Sequence, residues 1–64
     1  MEQKPVVHYI GEPLFIIEGQ CAYARVQVLD HPRLGAGEVK TSRIMKEIEE
    51  GCFETLNTIY KKAV

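Results

Sequence analysis

The sequence contains no tryptophan, only two cysteines and no long apolar run. Its longest apolar run covers 14–17, far short of the roughly 20 residues that cross a bilayer, so we expect a soluble protein without a membrane partner. No secretory-type segment precedes Cys21 and Cys52, which favours free thiols in a reducing cytosol. His8, His31 and the cysteines are scattered singly and lack zinc-site spacing, so no metal and no cofactor are expected.

Neither sign of charge dominates the chain, since Lys and Arg total 8 against 9 for Asp and Glu. Proteins that bind long DNA or RNA usually carry a basic face, so a long nucleic acid is not expected as a partner. A chain of 64 residues forms one domain with a thin core. Because neither a metal nor a disulfide is expected to brace that core, we predict a closed homo-oligomer, with a tetramer favoured over a dimer.

What the sequence does contain is β-branched and aromatic residues in short runs, which are typical of strands. The clearest alternation places Ala22, Ala24, Val26 and Val28 on one face of a strand. A proline and two glycines then predict a surface loop over 30–38. The five predicted strands cover 6–10, 14–17, 21–30, 39–48 and 52–60.

Two segments also allow a helical interpretation. Residues 39–48 place apolar side chains at helical spacing behind Ser42 as an N-cap, and residues 53–64 repeat apolar positions in a similar way. Strands are favoured because 49–51, Glu-Glu-Gly, is typical of a tight hairpin turn. The prediction is therefore an all-β domain over 5–62, a small five-stranded SH3-like or OB-like barrel, with frayed termini at 1–4 and 63–64.

The sequence shows no arrangement that is typical of catalysis. Residues 35–41 end in the Lys-Thr of a phosphate-binding loop, but Val39 stands where that motif needs glycine, so nucleotide hydrolysis is not expected. The glycine-rich backbone still allows either a phosphate cradle or a plain hairpin loop. Ser42, His31 and Asp30 are not surrounded by a nucleophile elbow. We therefore expect a protein that is not an enzyme.

Polar side chains that suit a nucleotide-type ligand are spread over the later strands and loops. Arginine offers a planar fork to phosphate, hydroxyl groups donate hydrogen bonds, asparagine reads base edges and tyrosine stacks on bases. Tyr9 is an alternative stacking residue, and each residue also has an ordinary structural interpretation as a strand or core residue. The predicted ligand-binding residues are Arg25, His31, Arg33, Thr41, Ser42, Arg43, Asn57, Thr58 and Tyr60.

A longer pattern combines these residues: Asp-His-Pro at 30–32, Thr-Ser-Arg-Ile at 41–44, a Glu-Gly turn, and Phe-Glu-Thr-Leu-Asn-Thr-Ile-Tyr at 53–60. Over about the last two-thirds of the chain, this pattern resembles the small phage-encoded anti-CBASS sponge family. The resemblance implies a homotetramer that acts in the host cytoplasm. It also implies immune evasion by sequestering cyclic dinucleotides such as 3′3′-cGAMP without cleaving them.

Two other functions stay open at the level of the sequence. One is a protein-interaction module that adds an edge strand to a host or phage protein and inhibits it, and the other is a structural virion component. In the predicted homo-oligomer, ligand sites are expected near subunit boundaries, because one small barrel cannot enclose a dinucleotide. The apolar residues expected at the interface are Leu14, Phe15, Ile16, Leu29 and Leu34.

Overall fold

A computed structural model describes residues 4–63, which form one six-stranded sheet and no helix. The sheet order is β3-β2-β1-β6-β5-β4, and every neighbouring pair is antiparallel except the parallel pair of β1 and β6. The predicted all-β class is therefore confirmed. The strands are β1 (Val6–Glu18), β2 (Cys21–His31), β3 (Gly35–Lys40), β4 (Ile44–Glu49), β5 (Cys52–Thr55) and β6 (Ile59–Lys62).

The predicted count of five strands is wrong, and the first difference lies in β1. The two strands predicted at 6–10 and 14–17 are one long strand, and both halves pair with β2. The register shifts between Ile10 and Leu14, where Gly11 has a φ of 76°. Glycine adopts this left-handed conformation without a steric penalty, so the chain bends at an irregularity instead of reversing.

The predicted loop over 30–38 is also wrong, because the chain turns at 32–34 only and β3 begins at Gly35. Gly35 pairs with His31 and Gly37 with Val28, so the two glycines extend the hairpin from β2. The strand predicted over 39–48 is consequently divided between the end of β3 and most of β4. Residues 41–43 connect these two strands.

The predicted last strand, 52–60, is a hairpin of β5 and β6, so the helical alternative for this segment is wrong. The Thr55 hydroxyl donates to the Thr58 carbonyl at 3.0 Å and accepts from the Thr58 amide at 3.1 Å. The Asn57 amide also donates to this hydroxyl, at 3.4 Å. One buried side chain therefore closes the reversal between the two strands.

The core lies on one face of the sheet and is built around Phe53. Its ring centroid lies 5.9 Å from that of Tyr9, 6.0 Å from that of Phe15 and 5.4 Å from that of Tyr60. The alternation predicted for β2 is confirmed, because Ala24, Val26 and Val28 are all buried in the core. The buried apolar cluster consists of Val7, Tyr9, Ala24, Val26, Val28, Phe53 and Tyr60.

Both edges of the sheet are open. Within residues 4–63, no hydrogen-bonded ladder joins β3 to β4, so the predicted closure into a barrel is not observed. The fraying predicted for 1–3 and 64 lies outside the described residues. The Lys4 ammonium donates to Glu54 Oε2 at 2.6 Å and to the Thr55 carbonyl at 2.8 Å, and the Ala63 amide donates to the Tyr9 carbonyl at 2.8 Å.

Two turn glycines provide a matched test of packing at the β4–β5 hairpin. Gly51 has a φ of 78°, and a Cβ there would lie 3.1 Å from Lys62 Cβ, whereas Gly19 has a φ of 62° and open space around it. We expect Gly19→Ala to lower the free energy of unfolding by about 1 kcal/mol and Gly51→Ala by about 2 kcal/mol. Urea denaturation measures both. Equal losses would show that the contact with Lys62 is unimportant.

Candidate functional site

A groove of about 280 Å³ brings most of the predicted ligand-binding residues together. Four segments border it: the residue before β1, the β2–β3 turn, the β3–β4 connection with the end of β3, and the β5–β6 turn with the start of β6. We call it the polar groove. Its lining residues are Pro5, His31, Pro32, Arg33, Lys40, Ser42, Asn57, Thr58 and Tyr60.

Backbone hydrogen bonds hold these segments beside one another. The Leu56 amide donates to the Arg43 carbonyl at 3.1 Å, which places the β3–β4 connection against the β5–β6 turn. The Ile59 amide donates to the Pro5 carbonyl at 2.9 Å, where the parallel pairing of β1 and β6 begins. The groove is therefore a product of sheet topology, which brings together residues that are more than 50 positions apart in the chain.

His31 organises the turn at one wall of the polar groove. Its Nδ1 atom accepts hydrogen bonds from the amides of Arg33 at 3.1 Å and Leu34 at 3.2 Å. A neutral imidazole that accepts at Nδ1 carries its proton on Nε2, so the ring keeps one donor for another group. The same contacts fix the backbone of Arg33.

The lining of the polar groove includes two cationic residues, Arg33 and Lys40. None of its described lining residues is acidic, and Arg33 forms no ion pair within residues 4–63. Lys40 also lines the groove, but its ammonium lies 3.6 Å from Glu18 Oε1 and 4.9 Å from the centroid of the Tyr23 ring. Arg33 is therefore the lining cation with a free guanidinium, suited to a phosphate or carboxylate.

Tyr60 forms the floor of the polar groove, and its position corrects the stacking role suggested by the sequence. The ring is 3% exposed and stacks on Phe53 at an interplanar angle of 21°. Tyr9, the alternative stacking residue, is 1% exposed and donates its hydroxyl to the Gly51 carbonyl at 2.8 Å. Burial raises the pKa of Tyr60, so its hydroxyl stays protonated at neutral pH.

The β5–β6 turn presents Asn57 at the rim of the polar groove. Its side chain is exposed, while its backbone amide is held by Thr55. Thr58 is buried, and both its amide and its carbonyl bond to Thr55, so this residue shapes the groove from below. Ser42, on the opposite segment, is half-buried. Asn57 and Ser42 are thus the less buried of the uncharged polar residues that line the groove.

Three predicted ligand-binding residues do not line the polar groove. Thr41 is buried, where its hydroxyl accepts from the Ala24 amide at 3.1 Å and donates to the Ser42 carbonyl at 2.8 Å. Arg25 lies 4.0 Å from Glu38 on an exposed surface. Arg43 approaches two sulfur atoms, Cys21 Sγ at 4.0 Å and Met45 Sδ at 3.7 Å.

Three lining residues were not among the predicted ligand-binding residues: Pro5, Pro32 and Lys40. Pro32 belongs to the Asp-His-Pro segment, which was a signal for that turn. Lys40 is adjacent in sequence to the predicted Thr41. Pro5 gave no local signal, because only the pairing of β1 with β6 brings it to the groove.

A second groove, of about 360 Å³, lies where the β4–β5 turn meets the irregular part of β1. It shares no lining residue with the polar groove. Three carboxylates line it, from Glu12, Glu47 and Glu50, and its apolar wall includes Phe15. We call it the acidic groove.

A hydrogen-bonded pair, His8 and Asp30, ties β1 to the end of β2 and gives a test by pH. The His8 amide donates to Asp30 Oδ1 at 2.7 Å, and His8 Nδ1 lies 2.9 Å from Oδ2. These hydrogen bonds, with the backbone amide first, lower the pKa of Asp30. Its carboxylate therefore adds stability above the unfolded pKa of about 4, and that stability is lost as pH falls through the folded pKa.

Thermal melting between about pH 5 and pH 2 measures this contribution. In the Asp30→Asn variant, we expect the melting temperature to fall less on acidification than it does in the wild type. Glu54→Gln is the matched control, because a hydrogen bond from Lys4 lowers the pKa of Glu54 at a separate place. The two effects should add in the double variant. If the melting temperature of Asp30→Asn changed with pH in parallel with that of the wild type, the Asp30 carboxylate would not contribute to the acid sensitivity.

The chain matches no protein-family model, no curated protein and no solved structure. No helix in the described part of the chain is long and apolar enough to cross a membrane. Within residues 4–63, no group of three or more His, Cys, Asp or Glu side chains is placed to hold a metal ion. Cys21 and Cys52 are free thiols, the first half-buried and the second buried.

Proposed function

We propose that this protein binds a cyclic dinucleotide, such as 3′3′-cGAMP, stoichiometrically and without cleaving it. The observation that carries the proposal is the polar groove, where a free guanidinium, an imidazole donor and uncharged polar side chains converge and no described lining residue is acidic. Such a set matches a ligand with phosphates and hydrogen-bonding base edges. The resemblance to the anti-CBASS sponge family supports the same ligand.

Six of the described lining residues have separate roles in this proposal. Arg33 donates its planar fork to a phosphate, and the His31 Nε2–H group and the Ser42 hydroxyl donate to neighbouring oxygens. Asn57 reads a base edge from the rim, while the Pro32 ring supplies apolar surface beside the base. The Tyr60 hydroxyl donates from the floor.

The proposed binding is not catalytic, because the groove offers no evident general base. No described lining residue is a carboxylate, and His31 Nδ1 is already engaged by two backbone amides. Proton abstraction from an attacking group needs a basic atom within hydrogen-bond reach. The protein would therefore lower the free concentration of the signal, which is the action of a phage sponge in the host cytoplasm.

The size of the polar groove supports a shared site in a homotetramer. Its volume of about 280 Å³ lies at the lower end of ligand pockets, which suits one half of a dinucleotide. Leu14 and Leu34 are each 63% exposed and Leu29 is 46% exposed, while Ile16 is half-buried. Burial of such apolar side chains and of the two open sheet edges favours association.

Isothermal titration calorimetry against a panel of cyclic dinucleotides tests the proposal. We expect saturable binding of at least one member, and recovery of the unaltered ligand by chromatography after incubation. Light scattering after size exclusion is expected to give the mass of four chains. If no cyclic dinucleotide of the panel binds, the proposed ligand is wrong. Recovery of cleaved nucleotide would indicate an enzyme. A mass of one chain at micromolar concentration would contradict the shared site.

A further inference from the structure

The acidic groove combines negative charge with an exposed aromatic wall. Glu12 comes from the irregular part of β1, Glu47 from β4 and Glu50 from the β4–β5 turn, so three separate segments contribute an acidic residue to the lining of one groove. Phe15 is 53% exposed, and its ring packs edge-on against Phe53 at 6.0 Å. The groove therefore offers both anionic and apolar contacts to an occupant.

The chain's own Lys62 already shows which chemical group this groove accepts. Its ammonium donates to Glu12 Oε1 at 3.0 Å. That hydrogen bond and the charge of Glu12, followed by smaller contributions that include the charge of Glu50, raise the pKa of Lys62. The lining holds three carboxylates against this one ammonium, and Glu47 and Glu50 form no ion pair within residues 4–63. Two negative charges thus remain for an incoming cation.

We propose that the acidic groove docks a basic, apolar segment of a partner protein, with a lysine or arginine side chain inserted between Glu47, Glu50 and Phe15. The lining residues are complementary to such a segment in charge and in polarity. Lysine and arginine carry a cationic head on an apolar stem, so the head meets the carboxylates while the stem packs against the exposed phenyl ring. A nucleotide is excluded by its own negative charge.

This surface is independent of the proposed nucleotide site, because the two grooves share no lining residue. The protein would bind a small anion in one groove and a basic protein segment in the other. Either binding event can therefore be lost without the other, and the two proposals are tested separately.

Fluorescence anisotropy with a labelled peptide of alternating lysine and valine tests this inference. We expect salt-sensitive, saturable binding to the wild type, and a loss of about tenfold in the double variant Glu47→Gln with Glu50→Gln. Glu49→Gln is the matched control, since it removes the same charge from the same hairpin but Glu49 does not line the groove. Its affinity should stay within about twofold of the wild type. Phe15→Ala should weaken binding without changing the salt dependence.

Four results would overturn the inference. The first is absence of saturable binding, and the second is equal loss in Glu49→Gln, which would indicate diffuse charge attraction. The third is equal binding of a glutamate–valine peptide. Displacement of the peptide by an equimolar amount of spermidine would identify a site for free polyamines instead. Retained 3′3′-cGAMP binding in the glutamine double variant would show that the polar groove is intact.

Discussion

Thr55→Val is expected to lower the free energy of unfolding by about 2–3 kcal/mol, although the substitution hardly changes the volume of the side chain. Thr55 is fully buried, and its hydroxyl bonds to the carbonyl and amide of Thr58 and to the amide of Asn57. Valine removes all of these bonds and leaves the buried amide of Thr58 without a partner. For a chain with a thin core, this is a large fraction of its stability.

The matched control is Thr55→Ser, which keeps the hydroxyl and removes one methyl group. We expect it to cost about 1 kcal/mol, by loss of apolar burial. Urea denaturation at neutral pH measures both variants. If Thr55→Ser lowered the free energy of unfolding more than Thr55→Val, packing and not the hydrogen bonds would stabilise the β5–β6 turn. Because this turn carries Asn57, the valine variant should also weaken ligand binding.

The sequence was informative where local pattern and tertiary packing agree. The alternation of 21–30 predicted the buried face of β2, since a strand with one face on the core repeats every second residue. The tight turn predicted at 49–51 is present as a two-residue turn at 50–51, with Gly51 in the left-handed conformation that the hairpin needs. In both cases the determining interactions are within a few residues of one another.

The sequence was misleading where the observed structure differs from the propensities of the residues. Threonine and isoleucine are strand residues by propensity, so 52–60 resembled one strand, but the bonds of Thr55 reverse the chain in the middle. Glycine and proline are turn residues by propensity, so 30–38 resembled a loop. There the glycines adopt positive φ values within β3 and allow its pairing with β2 to continue.

The residues of the candidate site were predictable in part. Six of the nine predicted residues line the polar groove, because the segments that carry them meet through the parallel pairing of β1 and β6 and the β5–β6 turn. Arg25 does not, since alternation along β2 places it between the buried Ala24 and Val26 on the exposed face. Residue type alone cannot distinguish Arg33 from Arg25 and Arg43, because all three side chains have the same chemistry.

Arg33→Ala is expected to weaken cyclic dinucleotide binding by about 10- to 100-fold, because it removes a charge-assisted hydrogen bond to phosphate. The side chain is exposed and forms no ion pair within residues 4–63, so the melting temperature should hardly change. Arg33→Lys keeps the charge but loses the planar fork, and we expect an intermediate affinity. Calorimetry with 3′3′-cGAMP measures all three proteins.

The other two arginines are the matched controls for this prediction. Arg25→Ala and Arg43→Ala remove the same charge from positions that do not line the polar groove, so each should bind within about threefold of the wild type. If all three variants lost affinity equally, the ligand would be held by overall positive potential and not by the groove. If Arg25→Ala alone lost affinity, the binding surface would lie on the exposed face of β2, and the assignment of the polar groove would be wrong.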